Sequence, residues 1–281
     1  MNTQDYFRDG VAVVTGAGSG LGRAMVQRFA AAGMGVVALD IDGARAEETA
    51  RMVRGTGGQA MAMQVDVADA AAMEGAAVAT ARAFGACTVL CANVGVQQFG
   101  ALDRLTARDW RWVLDVNVLG VVHTVNSFLP LIRKSSGHRH IAVTASSASL
   151  TPGVRMGAYT TSKYAVLGYT ETLRMELAEE KIGVTSILPA GMITRHLESS
   201  AAARPAALGQ AEIRREDIDV MMASRKMDTA GHVASPEHAV RHLLEDLAAN
   251  ERFVITHGEY RVQVMETYEA ILRAHDRGQE A

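Results

Sequence analysis

Cysteine is nearly absent: the 281 residues hold only Cys87 and Cys91. Spaced four apart around an apolar run, their side chains are expected on one face of a strand, too far apart along an extended chain to pair. That excludes a disulfide framework, and both read as core thiols. Nor is there a Cys/His cluster at ligand spacing, and the nine histidines are scattered, so no metal site is expected. Basic charge is not in excess, with a net charge of −3 and a pI near 6.3. Nothing therefore drives binding to phosphate backbones or anionic lipid, and neither nucleic acid nor a membrane is an expected partner. No uninterrupted apolar run approaches the ~18 residues of a membrane span, and Met1–Gly10 carries Asp5, Arg8 and Asp9 with no apolar leader core. The expected location is the cytoplasm. No internal repeat of fixed period appears.

What is present is a globular composition, 48% apolar and 21% charged, sufficient for a sizeable core. A single domain over 1–281 is the expectation. Short apolar runs recur at Val11–Thr15, Val36–Asp40, Ala60–Val65, Thr88–Ala92, His140–Thr144, Val184–Leu188 and Phe253–Thr256, with helical periodicity between most of them. Leu21–Ala32 and Gly43–Gly55 read as helices, and the alanine-rich stretch 68–83 favours a third. Strands alternating with helices predict an α/β fold, a doubly wound parallel seven-stranded sheet covered on both faces. From Arg195 to Ser235 the rhythm stops, in a polar, alanine-rich stretch that reads as a substrate lid. Ser235-Pro236 then has the form of a helix start, and a last helix is expected from Glu259 to about Ala274.

Thr15-Gly16-Ala17-Gly18-Ser19-Gly20-Leu21-Gly22 lies between the first strand and the first helix, where free backbone N–H groups would meet a dinucleotide's pyrophosphate. A tight turn with no ligand would use glycine too. Context favours the cofactor: the second strand ends at Asp40, whose carboxylate can accept hydrogen bonds from ribose hydroxyls and would repel a 2′-phosphate. Its neighbours Ser19 and Ile41 offer no cation, so NAD is expected over NADP; a helix-capping role for Asp40 is the alternative. Asp66-Val67, ending the third strand, suits the adenine amino group, and Asn93-Val94-Gly95 ends the fourth strand beside the same crevice. Either could equally be a strand-end turn.

Tyr159 and Lys163 are four apart at the start of an apolar-periodic segment, so both project from one helix face. A phenol titrates near ~10 in water and is a poor base at neutral pH; an adjacent ammonium favours its phenolate. Ser146, after the His140–Thr144 run, could hold a substrate oxygen as charge develops on it. Taken singly these would be a buried tyrosine, a solvated lysine and a turn serine.

The glycine turn, Asp40, Asp66, the Asn93 strand end, Asn117, Ser146, and the Tyr159 and Lys163 pair occur in the order in which the short-chain dehydrogenase/reductase family carries its motifs. Over residues 10–260 the chain resembles that family. The resemblance implies that Tyr159 is the general acid/base, that Lys163 favours its ionised form and holds the nicotinamide ribose, that Ser146 stabilises the substrate oxygen, and that Asn117 supports a water-linked proton relay. It also implies that Pro189–Thr194 lies along the cofactor, with Thr194 bonding the carboxamide, and that the chain forms a homotetramer or homodimer. Ala92, Val94 and Ala190 depart from the residues usual in that family (Asn, Ala and Gly), which bears on local loop geometry.

Substrate choice is expected from Ser147–Met156, Gln97–Phe99 and the lid, through Leu150, Val154, Met156, Phe99, Leu197, Met221 and Met222. These are mostly apolar, which points to a bulky aryl or alicyclic secondary alcohol rather than a sugar; the methionines could equally fill core gaps. Two other readings keep the fold: a sensor or scaffold with vestigial turnover, disfavoured by the intact Ser146, Tyr159 and Lys163, and an isomerase or dehydratase, which would need acid/base groups with no evident counterpart.

Overall fold

A computed structural model describes residues 6–209, 214–225 and 233–279. Met227, expected in the lid, and Asp5 lie outside these residues. The chain begins β1 (Val11–Thr15), α1 (Gly20–Ala31), β2 (Gly35–Asp40), α2 (Gly43–Gly55), β3 (Ala60–Gln64), α3 (Ala70–Phe84) and β4 (Val89–Ala92). Then α4 (Ala107–Leu114) runs through a π turn at Asp115–Leu119 into α5 (Gly120–Lys134). Next come β5 (His140–Thr144), α6 (Gly157–Glu176), β6 (Gly183–Leu188) and β7 (Gly191–Met192). The chain closes with α7 (His196–Ala203), α8 (Arg215–Arg225), β8 (Val233–Ala234), α9 (Pro236–Ala239), α10 (Leu243–Ala248), β9 (Phe253–Ile255) and α11 (Arg261–Gln279).

The main sheet is parallel throughout, in the order β3-β2-β1-β4-β5-β6-β9. Because side chains alternate along a strand, each strand feeds two cores. Val13, Leu39, Leu90, Ile141 and Val184 pack with Met73 of α3, Phe128 of α5 and Val166 of α6. Val14, Ala38, Cys91 and Ala142 pack on the other side with Met25 and Phe29 of α1 and Leu244 of α10. Burial on both faces is why the strands read as continuous apolar runs. Truncating a ring such as Phe29 or Phe128 to alanine would cost about 3–5 kcal/mol.

The helix starts follow from short-range chemistry. Asp42 caps α2 by accepting from the Arg45 N–H at 3.2 Å, Asp69 caps α3, and Thr106 with Asp109 forms a reciprocal capping box on α4. Ser235 caps α9 through the His238 N–H, with Pro236 at the first position, as the sequence predicts. The final helix starts at Arg261 and continues to Gln279, past the predicted Ala274. The stretch Ala107–Lys134 is long and apolar enough to cross a membrane. A search for uninterrupted apolar runs misses it because charged residues such as Arg108 and Asp115 interrupt it; here Val113, Val121, Val125, Phe128 and Ile132 pack on the sheet.

Two expectations are corrected. Cys87 and Cys91 face opposite cores, because Cys87 precedes the first paired residue of β4 and the strand's alternation does not reach back to it. Burial raises both thiols far above their ordinary range. The lid keeps secondary structure, with α7 and α8 and the small β7–β8 pair lying between β6 and α9. Its helices carry little sequence signal because they present few apolar residues: Ser200, Asp217 and Met221 are their buried members.

Candidate active site

Strand order reverses on either side of β1, with β2 to one side and β4 to the other, and a crevice opens there at the carboxyl ends of the strands. It widens into a cavity of about 690 Å³. Gly16, Ser19, Gly20, Leu21, Gly22, Asp40, Ile41, Asp66, Val67, Asn93, Gly95, Ser146, Tyr159, Lys163, Pro189 and Thr194 all line it. Asn117 lies just behind the wall, fully buried.

The glycine turn is shaped to admit a ligand backbone-first. Gly16 has φ +65°, and a Cβ on Gly22 would sit 2.1 Å from the Gly16 carbonyl oxygen, so neither position accepts a side chain. The turn is clamped from outside: Arg23 donates to the Gly18 carbonyl at 2.6 Å, and the Thr49 hydroxyl donates to the Ala17 carbonyl at 2.9 Å. Asp40 accepts from the Gly18 N–H at 2.8 Å and from the Asp42 N–H at 2.9 Å. The helix cap is therefore Asp42, which leaves Asp40 at the end of β2, facing the cavity.

Asn93 ties three strand ends together. Its N–H donates to the Thr15 hydroxyl at 2.9 Å, its amide donates to the Thr15 carbonyl at 3.1 Å, and its carbonyl oxygen accepts from the Thr144 hydroxyl at 3.0 Å. Asp66 is exposed at the rim, its carboxylate accepting from the Ala68 N–H at 2.9 Å. These features fit a dinucleotide: a glycine-rich cradle for the phosphates, a carboxylate at the end of β2 and another just past the end of β3.

At the other end of the crevice, α6 presents Tyr159 and Lys163 on one face. The Lys163 Nζ lies 5.8 Å from the Tyr159 ring centroid and donates to the Thr144 carbonyl at 2.8 Å. Lys163 is 2% exposed, and burial pushes its ammonium down to about 8. Ser146, buried directly after β5, accepts from the Ala148 N–H at 3.1 Å, which leaves its hydroxyl proton free to donate. Asn117 sits on the π turn, a departure from regular helix often found where a side chain must be aimed. Its amide donates to the Val96 carbonyl at 3.0 Å and to the Ser162 hydroxyl at 2.9 Å, and its oxygen accepts from the Val96 N–H at 2.7 Å. A Cβ on Gly95 would lie 3.2 Å from the Lys163 Nζ and 3.6 Å from the Asn117 Oδ1, so glycine there keeps the lysine and asparagine side by side.

α7 and α8 line the cavity as well, through Leu197, Met221 and Met222. Thr194 lies on the glycine turn, its methyl 3.2 Å from where a Gly20 Cβ would be. The Ser200 hydroxyl accepts from the Gln97 N–H at 3.0 Å. Phe99, Ala148, Met156, Tyr159 and Met221 form a small apolar cluster of their own, and Leu197 and Met222 also line the cavity. Leu150 and Val154 do not line it: Leu150 packs against the main core and Val154 is exposed.

Sequence reasoning missed several residues. His196, Trp112 and Tyr260 line the cavity. Arg204 and Asp217 anchor the lid: Arg204 donates to Asp109 at 2.6 Å and Gln98 at 2.9 Å, and Asp217 accepts from Arg104 at 2.8 Å and pairs with Arg155 at 3.1 Å. Arg45 lies against the glycine turn, where no cation was expected, but it is paired with Asp42 at 3.2 Å. The partners are 95 and 113 residues apart in the Arg204–Asp109 and Arg104–Asp217 pairs, so no local pattern announces them.

The family model for the short chain dehydrogenases matches residues 10–205. The chain belongs to the short-chain dehydrogenase/reductase family. A short-chain dehydrogenase/reductase from Burkholderia phymatum, solved in complex with NAD, superposes with a TM-score of 0.87 at 32% identity, over 96% of each chain. The "Probable oxidoreductase EphD" of Mycobacterium tuberculosis is 34% identical over 223 residues, 78% of this chain; the match spans only 37% of EphD's length. The C alpha-dehydrogenase of Sphingobium is 27% identical over 268 residues, covering 95% of this chain and 86% of the relative. The chain's seven-stranded Rossmann-like sheet accords with its family membership.

Proposed function

We propose that this dehydrogenase interconverts a bulky apolar secondary alcohol, aryl or alicyclic, and its ketone, using NAD. The observation that carries the reading is the meeting of Ser146, Tyr159 and Lys163 on the floor of a cavity whose outer wall is Phe99, Met156, Met221 and Leu197. That wall offers dispersion and shape rather than the hydrogen-bond partners a sugar would demand. The name of the Sphingobium relative, a C alpha-dehydrogenase, accords with oxidation at a carbinol carbon.

NAD, when bound, supplies the hydride acceptor for oxidation or, reduced, the donor for the reverse. The Ser146 hydroxyl donates to the substrate oxygen and holds it in place. During oxidation Tyr159, as phenolate, takes the proton from that oxygen while the carbinol C–H bond breaks; in reduction the same phenol returns it. Lys163, buried beside the ring and oriented by the Thr144 carbonyl, holds the nicotinamide ribose. Asn117 keeps Val96 and Ser162 in register behind the pair. Asp40 directs preference to NAD by repelling a 2′-phosphate, and Arg45, already neutralised by Asp42, does little to offset this. The chain is expected to work in the cytoplasm as a homotetramer or homodimer.

The test follows reduced-nicotinamide absorbance with NAD or NADP against aryl, alicyclic and aliphatic secondary alcohols. Wild type is expected to favour NAD and the bulky alcohols. Tyr159→Phe should lose at least about a hundredfold in kcat, the lower range for a general acid/base, while still binding NAD. Preference for NADP, or undiminished turnover by Tyr159→Phe, would refute the respective assignment.

A further inference from the structure

His196 opens α7 and lines the cavity, half-buried, with no catalytic or cofactor role from its sequence motif. Its place is set from both sides. Its backbone N–H donates to the Thr194 hydroxyl at 3.3 Å, and Thr194 in turn lies on Gly20 of the glycine turn. Farther along the same helix, Ser199 accepts from Arg45 at 3.5 Å and Ser200 from the Gln97 N–H at 3.0 Å, so α7 bridges the two walls of the cofactor crevice. His196 lines the same cavity as the glycine turn and Lys163, close enough for the lysine's charge to reach its ring.

The ring makes no hydrogen bond to the described residues, and its nitrogens are not among the sealed, unpartnered atoms of the structure. Burial first, and the Lys163 ammonium second, push its titration down to about 4, so at neutral pH it is an uncharged imidazole with one N–H to donate. A donor held at this point, with no protein acceptor, is aimed at whatever passes between the glycine turn and the lysine. In a bound dinucleotide that is the nicotinamide-side phosphate and ribose.

We infer that His196 grips the nicotinamide-side phosphoribosyl group of the cofactor by donating a ring N–H to its oxygens. This rests on the nicotinamide-cofactor reading above. The interaction ties α7 to the bound cofactor. His196 acts as a binding residue for the cofactor and takes no part in the proton transfer assigned to Tyr159.

Equilibrium titration of the full chain with NAD, ADP-ribose and AMP, without any alcohol, tests it. His196→Ala should weaken NAD and ADP-ribose about tenfold, the lower end for a hydrogen bond to a charged group, and leave AMP, which lacks the nicotinamide-side group, unchanged. His196→Gln, which keeps an N–H donor, should recover most of the loss. His196→Ala binding NAD within about twofold of wild type overturns the inference, as does an equal loss for AMP, which would mean a generally loosened lid. Failure of wild type to bind NAD at all would instead bring down the cofactor reading itself.

Discussion

Arg204→Met tests how the lid is held. The guanidinium is 8% exposed and makes four hydrogen bonds: two reach out of its own segment, to Asp109 at 2.6 Å and Gln98 at 2.9 Å, and two are local, to the carbonyls of Leu208 at 3.2 Å and Gly209 at 3.0 Å. It also lies over the Trp112 ring, 5.4 Å from its centroid. For Asp109, burial opposes the charge, but the hydrogen bonds from Thr106 and Arg204 and the Arg204 charge outweigh it and hold the carboxyl below its usual range. Methionine keeps most of the apolar stem and removes the charge, leaving Asp109 buried with only its Thr106 bonds. Breaking a buried pair from one side costs about 3–5 kcal/mol, and the retained Thr106 bonds argue for the low end, about 3 kcal/mol. With an unfolding entropy of about 2.1 cal/mol/K per residue, the 281-residue chain should lose about 5 °C in Tm. Differential scanning calorimetry measures this, and Arg204→Met with Asp109→Asn should cost less than the sum of the two single changes, because the stranded charge is gone. A single variant within about 0.5 kcal/mol of wild type, or additive losses, would show that the pair holds nothing.

Two further outcomes follow from buried charge and exposed surface. Lys163 titrates near 8 in the folded chain against 10.5 ordinarily, so between those values the unfolded chain holds more protons and stability must rise with pH. Relative to Lys163→Met, wild type should gain up to about 3 kcal/mol from pH 8 to 10.5 in urea titrations, and a flat or falling difference would contradict the burial argument. On α11, Val262, Met265, Tyr268 and Leu272 are exposed and recur every three to four residues, an apolar stripe that suits a second copy of the chain. Met265→Glu with Leu272→Glu should shift sedimentation toward the monomer; an unchanged distribution would place any self-association elsewhere.

Much of this protein was legible in the residues themselves because its signals are local. A parallel strand buried on both faces is an apolar run, and a helix opposite a ligand begins with glycines. A Tyr and a Lys four apart share a helix face whatever surrounds them. Those regularities anticipate the seven strands within a residue or two and bring Gly16 to Thr194 to one cavity. Tertiary structure alone decided the rest. The Cys87 side chain turns away from Cys91 because the strand's alternation starts two residues after Cys87. Leu150 leaves the cavity for the core, while His196, Trp112 and Tyr260 enter it. The hold on this segment depends on Arg204 meeting Asp109 across 95 residues of chain, and on Asp217 meeting Arg104 across 113 and Arg155 as well. An ion pair between distant segments leaves no period or spacing in sequence; it exists only once the sheet has brought its partners together.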